Sequence, residues 1–315
     1  MTKRTQYPIH DDFKKLKNLN PPLNPFLLPV IQKTVSLLWH FQKSTKTCEV
    51  KNIKIPFDKK TIKALLYSPK NIEENCPCLI YFHGGGFVFP PAPYHYSFAR
   101  FYAENAKCKV IFVDYPLSPK KRFPFAVNAC YTCFEWTLKN AESLSINKNK
   151  IAVGGDSAGG NLASVVSMIA GENNNIKPCC QMLIYPAVGS GNQTKSMLKY
   201  TDTPMCNSKD YEKYCDFYFD LKTNGEEKIL KEKLISPTKA SSFDIFPPTY
   251  IETAEFDCLK DEAVDFAKQL KQSNIPVVLN NTKQTIHAYD IVKKSPITQN
   301  SLNKRVNFLK KYFKN

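Results

Sequence analysis

A serine set between glycines at the end of an apolar strand constrains this chain more than any other feature. Gly155-Asp156-Ser157-Ala158-Gly159 stands directly behind Ile151-Ala152-Val153-Gly154, and Gly160, Ala163 and Ser164 carry a small-residue pattern on toward Ala170. A sharp strand-to-helix turn of this kind points the serine hydroxyl out of the sheet. Its neighbours must be small so that strand and helix can approach closely. The Ser157 amide then sits at a helix N-terminus, where backbone donors favour developing negative charge. Taken alone, the motif also fits an ordinary tight turn with a capping serine.

A second motif narrows the reading. Cys78-Leu79-Ile80-Tyr81-Phe82 has the character of a buried strand and ends in His83-Gly84-Gly85-Gly86. Three consecutive glycines cost conformational entropy and bury little, so they need another purpose. Their N–H groups can close on a carbonyl oxygen that turns negative during acyl transfer. The donors expected are Gly85 and Gly86, with Ala158 as a third, while His83 is expected to hold the loop. An elbow of this type is followed along the chain by an acid and then a base. Of the five histidines, His10, His40, His83, His95 and His287, only His287 lies beyond Ser157. It is the expected base, placed in a polar loop after the strand-like Val277-Val278-Leu279. Between the two, a strand-like stretch from Pro248 to Phe256 ends at Asp257, the expected acid in preference to Glu255 or Asp261. Asp261 and Glu262 read as first-turn carboxylates of the amphipathic helix that follows.

Strand and helix patterns alternate along the rest of the chain, as in a doubly wound sheet. Strands are expected at 50–56, 62–67, 78–82, 110–115, 151–154, 182–185, 249–254 and 277–280, and helices at 96–105, 125–139, 158–170, 261–271 and 302–312. With 315 residues, 43% of them apolar, one large α/β unit plus a modest insertion accounts for the length. Residues 1–45 carry a helical apolar run, and the stretch at about 189–246 breaks the rhythm with Tyr211, Tyr214, Phe217, Tyr218 and Phe219. These two segments are the expected cap, and 46–315 the catalytic unit. The aromatics either line a pocket or pack cap against core.

The net charge of +16 rests almost wholly on lysine, the arginines being Arg4, Arg100, Arg122 and Arg305. Base reading and bidentate phosphate contacts lean on arginine, so no nucleic-acid partner is expected. The lysines read as a solvated surface, with attraction to an anionic membrane as the alternative. Eleven cysteines lack a framework spacing, and Cys130-Tyr131-Thr132-Cys133 lacks the second pair that zinc needs. Buried free thiols, a polar start and an apolar run at 27–38 too short to span a bilayer lead to the expectation of a cytoplasmic protein without stable membrane insertion. Neither metal nor cofactor is expected, and the sequence leaves a homodimer open.

Taken together, the stretches around Tyr81–Phe87, Asp114–Val127, Gly154–Ala163, Leu183–Ala187, Thr253–Glu262 and Thr285–Tyr289 resemble the hormone-sensitive-lipase-like branch of the α/β-hydrolase fold, which includes bacterial esterases and arylacetamide deacetylase. The resemblance implies a mostly parallel central sheet with helices on both faces and a helical cap. It also implies a Ser157–Asp257–His287 triad, oxyanion donors at Gly85, Gly86 and Ala158, and action on small short-to-medium acyl or aryl esters. An amide deacetylase on the same triad, and a small-molecule receptor without turnover, are the alternatives. Pro116 and Lys120 stand where the family usually has arginine and glutamate, and Ala288-Tyr289 stands where Gly-Phe is common.

Overall fold

Eight runs rich in β-branched and aromatic residues pair edge to edge into one sheet in the computed structural model, which describes residues 7–173, 176–189, 194–219 and 232–314. In chain order the strands are β1 (Cys48–Phe57), β2 (Lys60–Pro69), β3 (Cys76–Phe82), β4 (Lys109–Asp114), β5 (Ile146–Asp156), β6 (Gln181–Ile184), β7 (Thr249–Phe256) and β8 (Val277–Ile286). Their order across the sheet is β1-β2-β4-β3-β5-β6-β7-β8. β2 is antiparallel to both β1 and β4, and the pairings from β4 through β8 are parallel. The helices are α1 (Leu28–Ser36), α2 (Pro93–Ala106), α3 (Phe125–Lys139), α4 (Ala158–Glu172), α5 (Lys195–Lys199), α6 (Ser208–Tyr218), α7 (Lys260–Gln272) and α8 (Pro296–Lys314).

The period of two in each strand divides the interior into two layers. Leu79 and Tyr81 of β3 pack with α2 and α8, through Tyr102, Val306 and Leu309. Cys78, Ile80 and Phe82 pack on the other face with α3, α4 and α7, through Phe134, Leu162 and Phe266. Central strands buried on both faces read as continuous apolar runs, which is why β3, β4 and β5 stand out in the sequence.

One expectation needs correction. His287 does not emerge from a long polar loop: β8 continues through Ile286, with a register shift opposite Ala254 and Phe256. The strand looks like a loop in sequence because it is an edge strand rich in polar residues, with Asn281, Lys283 and Gln284 exposed and Asn280 and Asn281 bonded to Glu252 and Thr253 of β7. Asp261 and Glu262 stand in the first turn of α7, as expected. Glu262 is also buried, its Oε1 accepts the Gly189 N–H at 3.0 Å, and burial pushes its carboxyl up to about 8. Asp261 likewise accepts the Ser196 N–H, at 2.8 Å. The stretch at 189–246 holds α5 and α6, with residues 190–193 and 220–231 outside the described set. No helix among the described residues is long and apolar enough to cross a membrane.

The N-terminal segment is sewn onto the β8 side of the molecule. Phe13 is fully buried against the edge of the Tyr289 ring, the His10 N–H donates to the Gln284 carbonyl, and the Ser295 hydroxyl donates to Asp12.

Arg305 of α8 is the largest fully buried side chain among the described residues. Its guanidinium forks onto Glu252 of β7, reaches Asp290 at 2.8 Å and donates to the Tyr102 hydroxyl at 3.1 Å. Tyr250 and Tyr289 each donate to Glu252 at 2.7 Å. One cation thus serves two carboxylates. Burial would raise Glu252, but Arg305 and the tyrosine bonds outweigh it and hold the carboxyl below its usual range; at Asp290 burial wins and the carboxyl is pushed up. Replacing Arg305 by leucine strands Glu252 and Asp290 without a counter-charge. The expected loss is about 3–5 kcal/mol of unfolding free energy, read by urea denaturation; an unchanged midpoint would show that the network carries no net stability.

Candidate active site

β5 delivers Ser157 at the C-terminal end of the sheet, and α4 starts at the next residue. Ser157 has φ 53 and ψ −118, a conformation that costs energy outside glycine and persists only where surroundings over-determine it. Here its N–H donates to the Ile184 carbonyl at 2.8 Å, and its own carbonyl accepts from Asn161 and Ala187 at 3.1 and 3.2 Å. A methyl group on Gly159 would run into the Phe82 carbonyl, and one on Gly155 into the backbone of Gly159. The small-residue requirement is therefore backbone packed on backbone.

His287 follows β8 directly. Its Nε2 lies 2.9 Å from Ser157 Oγ, and its Nδ1 lies 2.7 Å from Asp257 Oδ2. The other oxygen of Asp257 accepts the Leu259 N–H at 3.0 Å, so both carboxylate oxygens are occupied. Glu255 and Asp261, the rival acids, turn elsewhere: Glu255 accepts the Gln284 N–H at 2.7 Å, and Asp261 holds Ser196. Burial alone would lower the His287 imidazole, but the Asp257 carboxylate more than offsets it and raises the group to about 9.

The glycine loop leaves β3 beside this serine. Gly85 and Gly86 take φ 111 and 61, left-handed values that only glycine adopts freely. Gly84 lies against the Asp156 carboxylate, and Gly86 against the Tyr214 ring, so that a side chain at either would collide. His83 is buried at the root of the loop, and its Nδ1–H donates to the Gly84 carbonyl at 2.7 Å. Burial depresses this imidazole to about 3 and keeps it neutral. The Tyr115 ring stacks on it, and the Tyr115 hydroxyl donates to the His83 carbonyl at 2.7 Å.

Sequence reasoning misses the support beneath the loop. Asp156 is buried, accepts from Tyr81 OH at 2.8 Å and faces His95 Nε2 at 3.1 Å. His95 Nδ1 in turn accepts the Ala92 N–H at 2.9 Å, which fixes the tautomer with its proton on Nε2. Burial would raise Asp156, but these partners lower it, so the carboxylate stays charged directly behind Ser157. The available signal is the position of Asp156 within the elbow together with a histidine, His95, that has no assigned role. Tyr185 is also missed: its ring centroid lies 4.7 Å from that of His287, and its hydroxyl donates to Asp290 at 2.7 Å.

Ser157, His287, Gly85, Gly86 and Ala158 line one cavity of 330 Å³. Most of the remaining wall is apolar. Pro21, Pro22, Ile31 and Val35 come from the N-terminal segment, and Met205, Tyr211 and Tyr214 from the segment that holds α6. The five aromatics of that segment divide. Tyr211 and Tyr214 line the cavity, whereas Tyr218 stacks on Phe87, Phe219 packs against Phe123, and Phe217 joins the small cluster around Leu28 and Val88. Among the described residues no lysine or arginine lines this cavity, despite the net charge of +16.

A family model for the α/β-hydrolase fold matches residues 79–291. An arylesterase of Saccharolobus solfataricus is 30% identical over 258 residues, which cover 82% of each chain. A carboxylesterase, NlhH, of Mycobacterium tuberculosis is 29% identical over 228 residues, covering 72% of this chain and 71% of the relative. Among solved structures, a bacterial heroin esterase superposes with a TM-score of 0.87 at 25% identity, covering 97% of this chain and 98% of the other.

The His287 imidazole is expected to titrate between its ordinary 6.5 and about 9, with the charged form favoured by Asp257. In Asp257→Asn burial acts without that carboxylate, and the midpoint moves below the wild-type value. Ring-nitrogen NMR across this pH range checks both. A wild-type midpoint under 6.5, unchanged by the substitution, would remove the electrostatic role of Asp257.

Proposed function

Because this chain belongs to the α/β-hydrolase family, with 213 of its 315 residues inside the family match, we propose that it is a serine carboxylesterase acting on small uncharged esters. The observation that carries the reading is the Ser157–His287–Asp257 relay, with contacts of 2.9 and 2.7 Å, opening into an apolar cavity.

Ser157 Oγ attacks the ester carbonyl carbon while His287 Nε2 takes its proton. Asp257 holds the Nδ1–H tautomer and stabilises the imidazolium that forms. The carbonyl oxygen, now negative, rests on the amides of Gly85, Gly86 and Ala158, with α4 directing its N-terminus at the same point. His287 then returns the proton to the leaving alcohol. A water deprotonated by the same imidazole attacks the acyl-serine, and the carboxylic acid leaves with Ser157 restored.

The N-terminal segment and the segment with α5 and α6 act as the cap, since both contribute wall residues above the serine. A volume of 330 Å³ stands at the small end of ligand cavities and suits short-to-medium acyl or aryl groups. Among the described residues these walls carry no lysine or arginine, so a substrate with a free carboxylate would lose its hydration without gaining a lysine or arginine partner. Eleven free thiols support a reducing, cytoplasmic setting.

Hydrolysis of p-nitrophenyl acetate, butyrate and octanoate by wild type and Ser157→Ala tests the proposal. Wild-type turnover should fall by at least about a thousandfold in the variant, with KM little changed. Equal rates in both proteins would refute Ser157 as nucleophile, and well-folded protein inactive on all three esters would refute the esterase reading.

A further inference from the structure

The cap segment around α1 lines the cavity on its inner side and, among the described residues, leaves its outer side apolar and exposed. Leu28, Ile31 and Val35 turn inward, Leu28 being fully buried and the other two standing on the cavity wall. Phe26 just before α1, Val30 within it, and Leu37 and Phe41 of the 3-10 turn that continues it are 89%, 62%, 54% and 70% exposed. Six of the ten exposed large apolar side chains among the described residues fall between Leu19 and Phe41. Scattered exposed apolar residues are ordinary; a stripe of them on one short segment is not.

The same region is basic. Residues 19–46 carry Lys33, Lys43 and Lys46 and no aspartate or glutamate. Beside α1 runs a groove lined by Lys33 of the helix itself and by Lys60, Lys120 and Lys121, with Asp58 and Asp114 as its acids. The Lys121 ammonium sits 4.2 Å over the ring of Phe125, another of the exposed aromatics.

We propose that the outward face of the Phe26–Phe41 segment docks on an anionic lipid surface, its apolar stripe entering the headgroup boundary and the flanking lysines meeting lipid phosphates. An amphipathic segment with a basic rim binds in this way by apolar burial plus attraction to anionic lipid. No spanning helix is involved. The docking is independent of the chemistry in the cavity. Its use, drawing lipophilic esters from the leaflet into a cavity walled by Ile31 and Val35, rests on the esterase reading.

Flotation of the full chain with vesicles of phosphatidylcholine alone, and with about 30% phosphatidylglycerol added, tests the docking. The protein should float with the anionic vesicles and be released by salt. A Phe26→Ser/Val30→Ser/Phe41→Ser variant should lose roughly tenfold in partitioning, and Lys33→Gln/Lys120→Gln/Lys121→Gln should lose a similar factor on anionic vesicles only. Both variants should keep wild-type turnover of p-nitrophenyl acetate, a soluble ester that needs no membrane. Failure of wild type to float would overturn the proposal whatever the turnover, and so would flotation unaffected by either variant. A dimer on size exclusion that the serine variant dissolves would assign the stripe to a second copy of the chain instead. Flotation without turnover in wild type would leave the docking standing and remove only its use.

Discussion

Backbone pressed against backbone at the end of β5 is the constraint on which the rest of the site depends. Ser157 is held at φ 53 because β5 and α4 meet with only hydrogen atoms between Gly155, Gly159 and the Phe82 carbonyl. That closeness also brings β3 near enough for its trailing glycines to reach the serine. A side chain at Gly159 would push α4 away from β3, so the position of the proposed nucleophile and that of the proposed oxyanion donors are set by the same contact. The strain at Ser157 is sustained by three backbone hydrogen bonds to β6, the loop after it and α4, rather than by any one neighbour.

Two buried charges keep the moving parts of this arrangement in register. Asp156 lies behind the elbow with Tyr81 and His95 on its oxygens, and Gly84 packs on the same carboxylate. A buried carboxylate with partners on both oxygens specifies a single arrangement at little net gain in stability, since its desolvation offsets much of what the partners return. Arg305 plays a comparable part on the opposite side. Through Asp290 and Tyr185 it sets the wall against which the His287 ring rests, and through Glu252 it ties that wall to β7, the strand that ends at Asp257. The imidazole is thus fixed by the C-terminal helix as well as by its own carboxylate.

How much of this is legible in sequence follows from the range of each interaction. The elbow, the glycine loop and the apolar central strands are local patterns, and each has one backbone solution. Chain order and elimination single out His287 because only one histidine follows Ser157. Asp257 is legible from its place at the end of an apolar strand. By contrast, nothing near Arg305 marks it as buried: it lies among lysines on an amphipathic pattern, and its partners are 15 and 53 residues away. The burial of Glu262 is hidden for the same reason, since the Gly189 amide that draws it inward is remote in the chain. The tyrosines near Tyr214 are all aromatic in sequence, and only tertiary packing decides which two face the cavity. β8 is mistaken for a loop beyond Asn280 because one side of an edge strand is free to be polar.

The N-terminal segment poses a different question, one of economy in the use of apolar surface. Lining a cavity needs one stripe of a helix, and Leu28, Ile31 and Val35 supply it. A segment whose only task was to cover the serine would place polar residues at Val30 of α1 and at Leu37 and Phe41 of the turn after it, gaining solubility at no cost to the wall. Threonine at position 34 and lysine at 33 show that polar residues are accepted on that side. Apolar residues there expose surface that water disfavours by roughly 25 cal/mol for each Å² left uncovered, and among the described residues neither the fold nor the cavity recovers it. The proposed docking would recover that surface, and because Ile31 and Val35 of the same segment line the cavity, a partner on the stripe would lie at the edge of the site.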